Sequence, residues 1–152
     1  IALVNYHDLV IASSTASFFY PFAKHGFAPE LASSYMIPRT IGMARAKELM
    51  YLGDRFSAEE AKQLGLVNRV TDPSNLMPEA IKLAERLVLL HPEALSHSKR
   101  IINHHIRRDL DRILDAEQDA VSRAMAATGG PKLLPNWMKE QKAWLSKIKS
   151  KM

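Results

Sequence analysis

The sequence predicts an α/β region followed by an all-helical region, and two observations lead to this prediction. Short β-branched and aromatic runs, separated by turn residues, fill roughly the first 70 residues. Beyond Pro73, apolar residues recur at helical spacing and no further strand pattern occurs. The chain of 152 residues is long enough to bury a core. We therefore predict a mixed region over residues 1–72 and a helical region over residues 73–152.

Three short strands are predicted in the mixed region. Residues 9–12 form a β-branched run that ends at the turn residues 13–15. Residues 17–20 form a second run, which Pro21 closes. The third strand is predicted over residues 66–70. The first two strands are thus expected to lie one turn apart.

Two helices are predicted ahead of the third strand. Apolar residues at helical spacing between 43 and 50, followed by Gly53, indicate an amphipathic helix with a C-terminal stop. Ser57 and Glu60 match a capping box, in which each side chain accepts a hydrogen bond from a free backbone N–H at the helix start. Gly65 is expected to end this second helix.

The helical region is predicted to begin with Pro78 in the first turn of a helix that reaches Leu90. Pro92 opens another helix, whose apolar stripe keeps helical spacing up to Met125. A single helix of that length would be unusual, so we expect a break near residues 107–109.

Composition excludes several classes of protein. Hydrophobic residues make up 47% of the chain and charged residues 24%, which is typical of a globular protein and not of a disordered one. No stretch approaches 18 uncharged apolar residues, so no membrane span is expected. The absence of cysteine excludes disulfides, thiol nucleophiles and Cys-ligated metals, and it favours a reducing compartment.

All of the net charge of +5 comes from the last 21 residues, where six lysines face one glutamate. The favoured interpretation is a solvated final helix, capped by Asn136 and carrying Trp137 and Trp144. RNA binding is the alternative, but the lysines are not interleaved with stacking aromatic residues beyond those two. We therefore do not expect nucleic acid as a partner.

Catalytic candidates are few. No serine lies in a G-x-S-x-G elbow, and His104 and His105 are adjacent, so they point about 100° apart on a helix and cannot chelate one ion. No metal site is expected. Glu30 is the most informative carboxylate because its neighbours from Phe27 to Ala32 carry no charge, and an acid in apolar surroundings suits proton transfer. A first-turn partner for a helix dipole is the alternative role.

A series of motifs, in order over about 100 residues, resembles the C-terminal half of the crotonase (enoyl-CoA hydratase/isomerase) superfamily. The matching segments are residues 8–13, 16–18, 29–30, 46–49, 53–61, 65–67 and 92–95, with Lys99. The resemblance implies a partial crotonase-like spiral ββα core over residues 1–72, followed by a helical oligomerisation region.

Within the superfamily, the segment from Pro21 to Pro38 is most similar to the peroxisomal Δ3,Δ2-enoyl-CoA isomerases. Hydratases have a glycine-rich stretch after the Pro-Glu pair and a second catalytic glutamate six residues before the aspartate that corresponds to Asp8. Here residues 31–41 contain no glycine, and Ala2 occupies the other position. The resemblance therefore implies an isomerase with one catalytic acid.

The implied reaction moves the double bond of a fatty acyl-CoA from C3 to C2 in the β-oxidation of unsaturated fatty acids. Glu30 would carry the proton from C2 to C4, while two backbone N–H groups hold the thioester oxygen. No resident cofactor is implied, since coenzyme A arrives with the substrate. The residues expected to form an apolar wall around Glu30 are Phe18, Phe19, Phe22, Phe27 and Leu31.

The resemblance also implies partners, and the last three residues independently indicate a peroxisomal location. The chain begins inside an apolar run at Ile1, so we expect it to be the C-terminal part of a longer protein whose other half holds one oxyanion donor and the CoA-binding loops. Homotrimers or paired trimers are expected. Ser150, Lys151 and Met152 resemble the C-terminal address that the peroxisomal import receptor reads.

Two alternatives remain open. A hydratase or dienoyl-CoA isomerase of the same fold would need a second acid, and Asp8 or Glu48 would have to reach the pocket. A non-catalytic module that binds acyl-CoA, or mediates an interaction, is the alternative outside the enzyme class.

Overall fold

The computed structural model describes Val4 and residues 6–129, and it confirms the predicted fold class: an α/β part followed by a helical part. The strands are β1 (Ile11–Ser13), β2 (Ser17–Phe18), β3 (Phe56–Ser57) and β4 (Arg69–Thr71). The helices are α1 (Ser33–Ile41), α2 (Met43–Leu52), α3 (Ala58–Gln63), α4 (Leu76–Val88), α5 (Pro92–Ile102) and α6 (His104–Thr128). The assignment of residues 1–72 and 73–152 to separate domains stays a prediction.

The strands pair across the sequence and not with their neighbours. β1 runs parallel to β4, with Ile11 opposite Arg69, and β2 runs antiparallel to β3, with Ser17 opposite Ser57. A parallel pair needs a long crossover connection, which here includes α1, α2 and α3. The two strand pairs therefore join residues 11–18 to residues 56–71, across the helices that lie between them in the sequence.

The core lies between these strands and α1 to α3. Its largest fully buried apolar side chains are those of Tyr20 and Ile37, and the rings of Phe18 and Tyr20 each stack on Phe56 at centroid distances of 5.9 and 6.2 Å. Burial raises the pKa of the Tyr20 hydroxyl, which has no hydrogen-bond partner among the described residues. Phe27, before Glu30 in the sequence, packs against this core, and Ile37, after it, packs within it.

The predicted capping box at the start of α3 is confirmed. The backbone N–H of Glu60 donates to Ser57 Oγ at 3.1 Å, and the backbone N–H of Ser57 donates to Glu60 Oε2 at 2.8 Å. The pKa of the Glu60 carboxyl is lowered by the hydrogen bond from the Ser57 backbone N–H and then by the one that the Ser57 hydroxyl donates to Oε2 at 2.9 Å. Residues near each other in the sequence thus satisfy free backbone N–H groups at the start of α3.

Two features of the helices differ from the sequence prediction. Helix α1 was not predicted: it contains Pro38, which removes one backbone donor, yet the burial of Ile37 holds the segment helical. The break expected at residues 107–109 was placed wrongly, because the chain breaks at Asn103 and α6 runs through that segment. Asn103 leaves the helical backbone region there, with ψ of 4°.

The described helices of the helical part, α4 to α6, bury few of their residues. No residue of α4 or α5 is buried, whereas α6 buries Ile113, Glu117 and Val121, which lie four residues apart on one face. Within residues 4 and 6–129, no helix has the length and apolarity that crossing a membrane requires. The predicted final helix from Asn136 lies outside the described residues.

Candidate active site

Glu30 lies in a tight turn that leads into α1. Leu31 and Ala32 both have left-handed backbone angles, with φ of 56° and 52°, a conformation that costs energy for residues other than glycine. The Glu30 carbonyl oxygen accepts hydrogen bonds from both the backbone N–H and the hydroxyl of Ser33. The backbone on the C-terminal side of Glu30 is therefore fixed by specific contacts.

The Glu30 side chain is exposed, which differs from the apolar enclosure expected from the sequence. Leu31, expected to be part of that enclosure, is 41% exposed. The reason is the left-handed turn, which places Ala32 and Ser33 in the interior and leaves the two residues before them on the surface. The described residues alone do not enclose the acid.

Of the four phenylalanines expected to line the pocket, Phe22 belongs to the core, and Phe18 and Phe27 pack against it. Phe22 is buried and contacts Phe27 edge to face at 6.1 Å, and Phe18 is half-buried against the core. The guanidinium of Arg55 lies 4.1 Å from the ring centre of Phe19. Their role in binding an acyl chain stays a prediction.

The sequence analysis missed an acid that contacts this turn. Glu117 of α6 is only 6% exposed, and its two carboxylate oxygens accept separate backbone hydrogen bonds. The N–H of Ala32 donates to Oε2 at 2.7 Å, and the N–H of Ser34 donates to Oε1 at 2.9 Å. The sequence did contain a signal for this contact: Glu117 lies four residues from both Ile113 and Val121, so it is an acid on the apolar face of the helix.

Two further contacts join α6 to the same segment. Thr128 Oγ1 donates to the carbonyl oxygen of Gly26 at 2.8 Å, and the Tyr35 hydroxyl donates to Asp109 Oδ2 at 3.3 Å. The side-chain hydrogen bond from Arg108 is the main cause of the lowered pKa of the Asp109 carboxyl. Helix α6 thus contacts the chain before, at and after the Glu30 turn.

The two acids that a two-carboxylate mechanism would recruit are paired with cations. Asp8 contacts Lys99 Nζ at 2.5 Å, and Glu48 contacts an Arg45 guanidinium nitrogen at 2.6 Å. Both pairs lie at exposed positions, so each is worth little to stability. Each carboxylate is nonetheless already engaged by a cation.

The remaining sequence predictions concern metal ligands, the two adjacent histidines and the C-terminal address. No group of three or more potential metal ligands occurs among the residues that the structure describes. His104 and His105 begin α6 and are exposed. The proposed targeting residues Ser150, Lys151 and Met152 lie outside the described part of the chain.

Comparison with known proteins gives a consistent family. The family model described as enoyl-CoA hydratase/isomerase matches residues 1–134. A crotonyl-CoA hydratase of Syntrophomonas wolfei is 33% identical over 136 residues, which cover 90% of this chain and 52% of the relative. A 1,2-epoxyphenylacetyl-CoA isomerase of Escherichia coli is 37% identical over 112 residues, which cover 74% of this chain and 43% of the relative.

A solved structure supports the same conclusion at the level of the fold. The enoyl-CoA hydratase/isomerase of Pseudoalteromonas atlantica superimposes with a TM-score of 0.84 at 30% identity, covering 91% of this chain and 56% of that one. The chain spans about half the length of these relatives. It belongs to the enoyl-CoA hydratase/isomerase family of the crotonase superfamily.

Proposed function

We propose that the protein containing this chain is a Δ3,Δ2-enoyl-CoA isomerase that uses Glu30 as its single proton carrier. The observation that carries the proposal is the isolation of this acid: between Asp8 and Glu48 the sequence contains no other carboxylate side chain. Asp8 and Glu48 are themselves paired with Lys99 and Arg45. One free acid suits a reaction in which one proton moves between two carbons of the same substrate.

The proposed reaction conserves all atoms of the substrate. The Glu30 carboxylate removes a proton from C2 of a 3-enoyl-CoA, and the electron pair of that bond delocalises through the thioester carbonyl and the C3–C4 double bond. The resulting acid returns the proton at C4, which leaves the double bond between C2 and C3. Backbone N–H donors at the thioester oxygen would stabilise the charge that develops there.

Glu117 does not supply a second catalytic acid in this scheme. Both of its oxygens already accept backbone N–H bonds, and its side chain is buried behind the turn. A hydratase must instead activate a water molecule, and the family's hydratases do so with two carboxylates. Within the part of the chain that the structure describes, Asp8, Glu48 and Glu117 are all engaged by other groups, which favours isomerisation by Glu30.

The alternative is a hydratase, and a specific observation favours it: the Syntrophomonas wolfei relative carries the name of a crotonyl-CoA hydratase. The two reactions are easily separated because they change the conjugated thioester in opposite directions. Isomerisation of a 3-enoyl-CoA creates the conjugated 2-enoyl thioester, whereas hydration of a 2-enoyl-CoA removes it. Ultraviolet absorbance of the conjugated thioester reports both.

The test is Glu30→Gln in the full-length protein. We expect wild-type protein to convert 3-enoyl-CoA to 2-enoyl-CoA, and the variant to lose activity by a factor of about 10³, because a positioned acid–base group contributes about 10² to 10⁴ in rate. Glu59→Gln is the matched control, since Glu59 is another exposed glutamate on the α/β part. The control should keep wild-type turnover.

Three results would contradict the proposal. Unchanged turnover of the Glu30 variant would remove this residue from the mechanism. Faster hydration of 2-enoyl-CoA than isomerisation of 3-enoyl-CoA by wild-type protein would favour the hydratase. Binding of acyl-CoA without either conversion would favour a non-catalytic binding module.

A further inference from the structure

We propose that Glu117 is a positioning residue: through its side chain, α6 fixes the backbone turn that carries the catalytic acid Glu30. This inference rests on the proposed function. Glu117 lies 87 positions away in the sequence, yet its carboxylate contacts the backbone of Ala32 and Ser34. It does not contact substrate in this scheme. Its effect on the reaction passes through the turn that carries Glu30.

The hydrogen bonds at the start of α1 show what Glu117 does. The N-cap residue Ala32 has no side chain that can accept a hydrogen bond, so the helix lacks a local cap. The N–H of Ser33 donates to Glu30 O, and the N–H groups of Ala32 and Ser34 donate to Glu117. A side chain from a distant helix thus completes the cap that the local sequence lacks.

The charge of Glu117 fits this position. A carboxylate at a helix N-terminus interacts favourably with the helix dipole, and its bonds to backbone N–H groups are charge-assisted. Both oxygens are used, one for each donor. The contact therefore fixes the orientation of the turn as well as its distance from α6.

The backbone of the turn after Glu30 is strained, so it needs contacts that keep it in place. Leu31 and Ala32 both occupy the left-handed region, which persists in residues other than glycine only when the surroundings enforce it. These two residues directly follow Glu30. Loss of the Glu117 contacts would release the segment toward ordinary backbone angles and would shift the Cα atom of Glu30.

Packing alone does not explain an acid at this site. The neighbouring buried positions of the same face are Ile113 and Val121, so an apolar residue at position 117 would continue the stripe. A buried acid is costly unless its hydrogen bonds are satisfied, and here two backbone donors satisfy them. What these two hydrogen bonds add, and an apolar side chain would not, is a fixed backbone geometry at the Glu30 turn.

The experiment compares two variants of the full-length protein, Glu117→Gln and Glu117→Met, which keep a similar size. The glutamine retains one acceptor and the methionine retains none. The turnover of folded protein should therefore fall by about 10-fold in Glu117→Gln and by about 100-fold in Glu117→Met, because a small misplacement of a catalytic group can cost about that much in rate. KM for 3-enoyl-CoA should change by less than about twofold, because the bound substrate is not contacted. Asp115→Asn, an exposed acid on the same helix, is the control and should match wild type.

Amide hydrogen exchange provides a measurement that does not depend on activity. In Glu117→Gln, the amides of Ala32 and Ser34 should exchange at least about 10-fold faster, while those of α3 remain as in wild type. Unchanged exchange at Ala32 and Ser34 would overturn the inference. Unchanged kcat in a variant that only melts at a lower temperature would also overturn it, because that is the result of a purely structural role.

Failure of the proposed function gives a different result. If wild-type protein does not isomerise 3-enoyl-CoA, the proposed function fails and the exchange rates of Ala32 and Ser34 decide whether Glu117 holds the turn. If Glu30→Gln abolishes turnover while Glu117→Met leaves kcat unchanged, the proposed function is supported and the positioning role is rejected.

Discussion

The α/β part and the helical part of this chain differ sharply in how they bury apolar side chains. In the α/β part, the short strands and three helices surround a continuous core that includes Tyr20, Ile37 and Phe56. Helices α4 and α5 bury no residue, although each has a clear apolar face. The large apolar residues exposed on or beside them are Met77, Ile81, Val88, Leu89, Leu90, Leu95, Ile101 and Ile102.

This difference separates residues that hold the fold from residues that present a surface. The α/β part supplies the stable frame for the Glu30 turn, and α6 joins that frame through the face that carries Glu117. The oligomerisation region that the family resemblance implies stays a prediction, and the exposed apolar faces of α4 and α5 agree with it, since patches of this kind mark interaction sites. Three predictions test the contrast, from the largest expected effect to the smallest.

The largest effect is expected from a cavity in the α/β core. Ile37→Ala removes a side chain that is 0% exposed and should lower the free energy of unfolding by about 3 kcal/mol. Leu89→Ala, at a position 85% exposed, should change it by less than about 0.5 kcal/mol. Urea unfolding followed by circular dichroism measures both. A comparable loss at Leu89 would break the contrast and would indicate that another surface covers that end of α4.

Close packing within the α/β part can be measured with a pair of glycines. A Cβ atom at Gly53 would lie 3.0 Å from the carbonyl oxygen of Tyr20, whereas one at Gly65 would meet nothing within 4 Å. Both residues have positive φ, so alanine should cost about 1 kcal/mol at either position from backbone strain. Gly53→Ala should cost about 1 kcal/mol more than Gly65→Ala, because backbone must also move. Equal melting temperatures for the two variants would argue against tight packing beside Tyr20.

The smallest effect is expected at the helix starts. Ser57→Ala removes the cap of α3 and should cost about 1 kcal/mol, whereas Asn103→Ala should cost much less because its side chain makes no capping bond to α6. The pKa of Glu60 is lowered in the folded state, so its share of the capping box is present above the unfolded pKa of about 4.3 and is lost as pH falls through the folded value. The difference between wild type and Ser57→Ala in urea titrations should therefore shrink below about pH 4. A difference that grows in acid would contradict this sign.

Local signals in the sequence were enough for the elements whose cause is local. The helix that ends at Gly53, the capping box of Ser57 and Glu60, and the proline that begins α5 were all predicted from adjacent residues. Each depends on backbone angles or hydrogen bonds within a few positions, which one sequence can reveal. The fold class followed from the same patterns and from the family resemblance.

Features with a distant cause were missed or misplaced. Helix α1 forms around Pro38 because Ile37 is buried in the core, and no local pattern reveals that burial. The exposure of Glu30 follows from the left-handed angles of Leu31 and Ala32, which neither residue type favours by itself. In the candidate site, the sequence singled out Glu30 as a candidate acid, whereas the contacts of Glu117 with the turn that follows it join positions more than 80 residues apart.

By itself, the sequence determined the family, the order of mixed and helical structure, and the fact that Glu30 is the one acid between Asp8 and Glu48, since these depend on residue identity and spacing. Only the tertiary structure decided which strands pair, which face of α6 is buried, and that Glu117 caps α1. The physical reason is that a buried carboxylate and a strained turn stabilise each other only when folding brings them into contact.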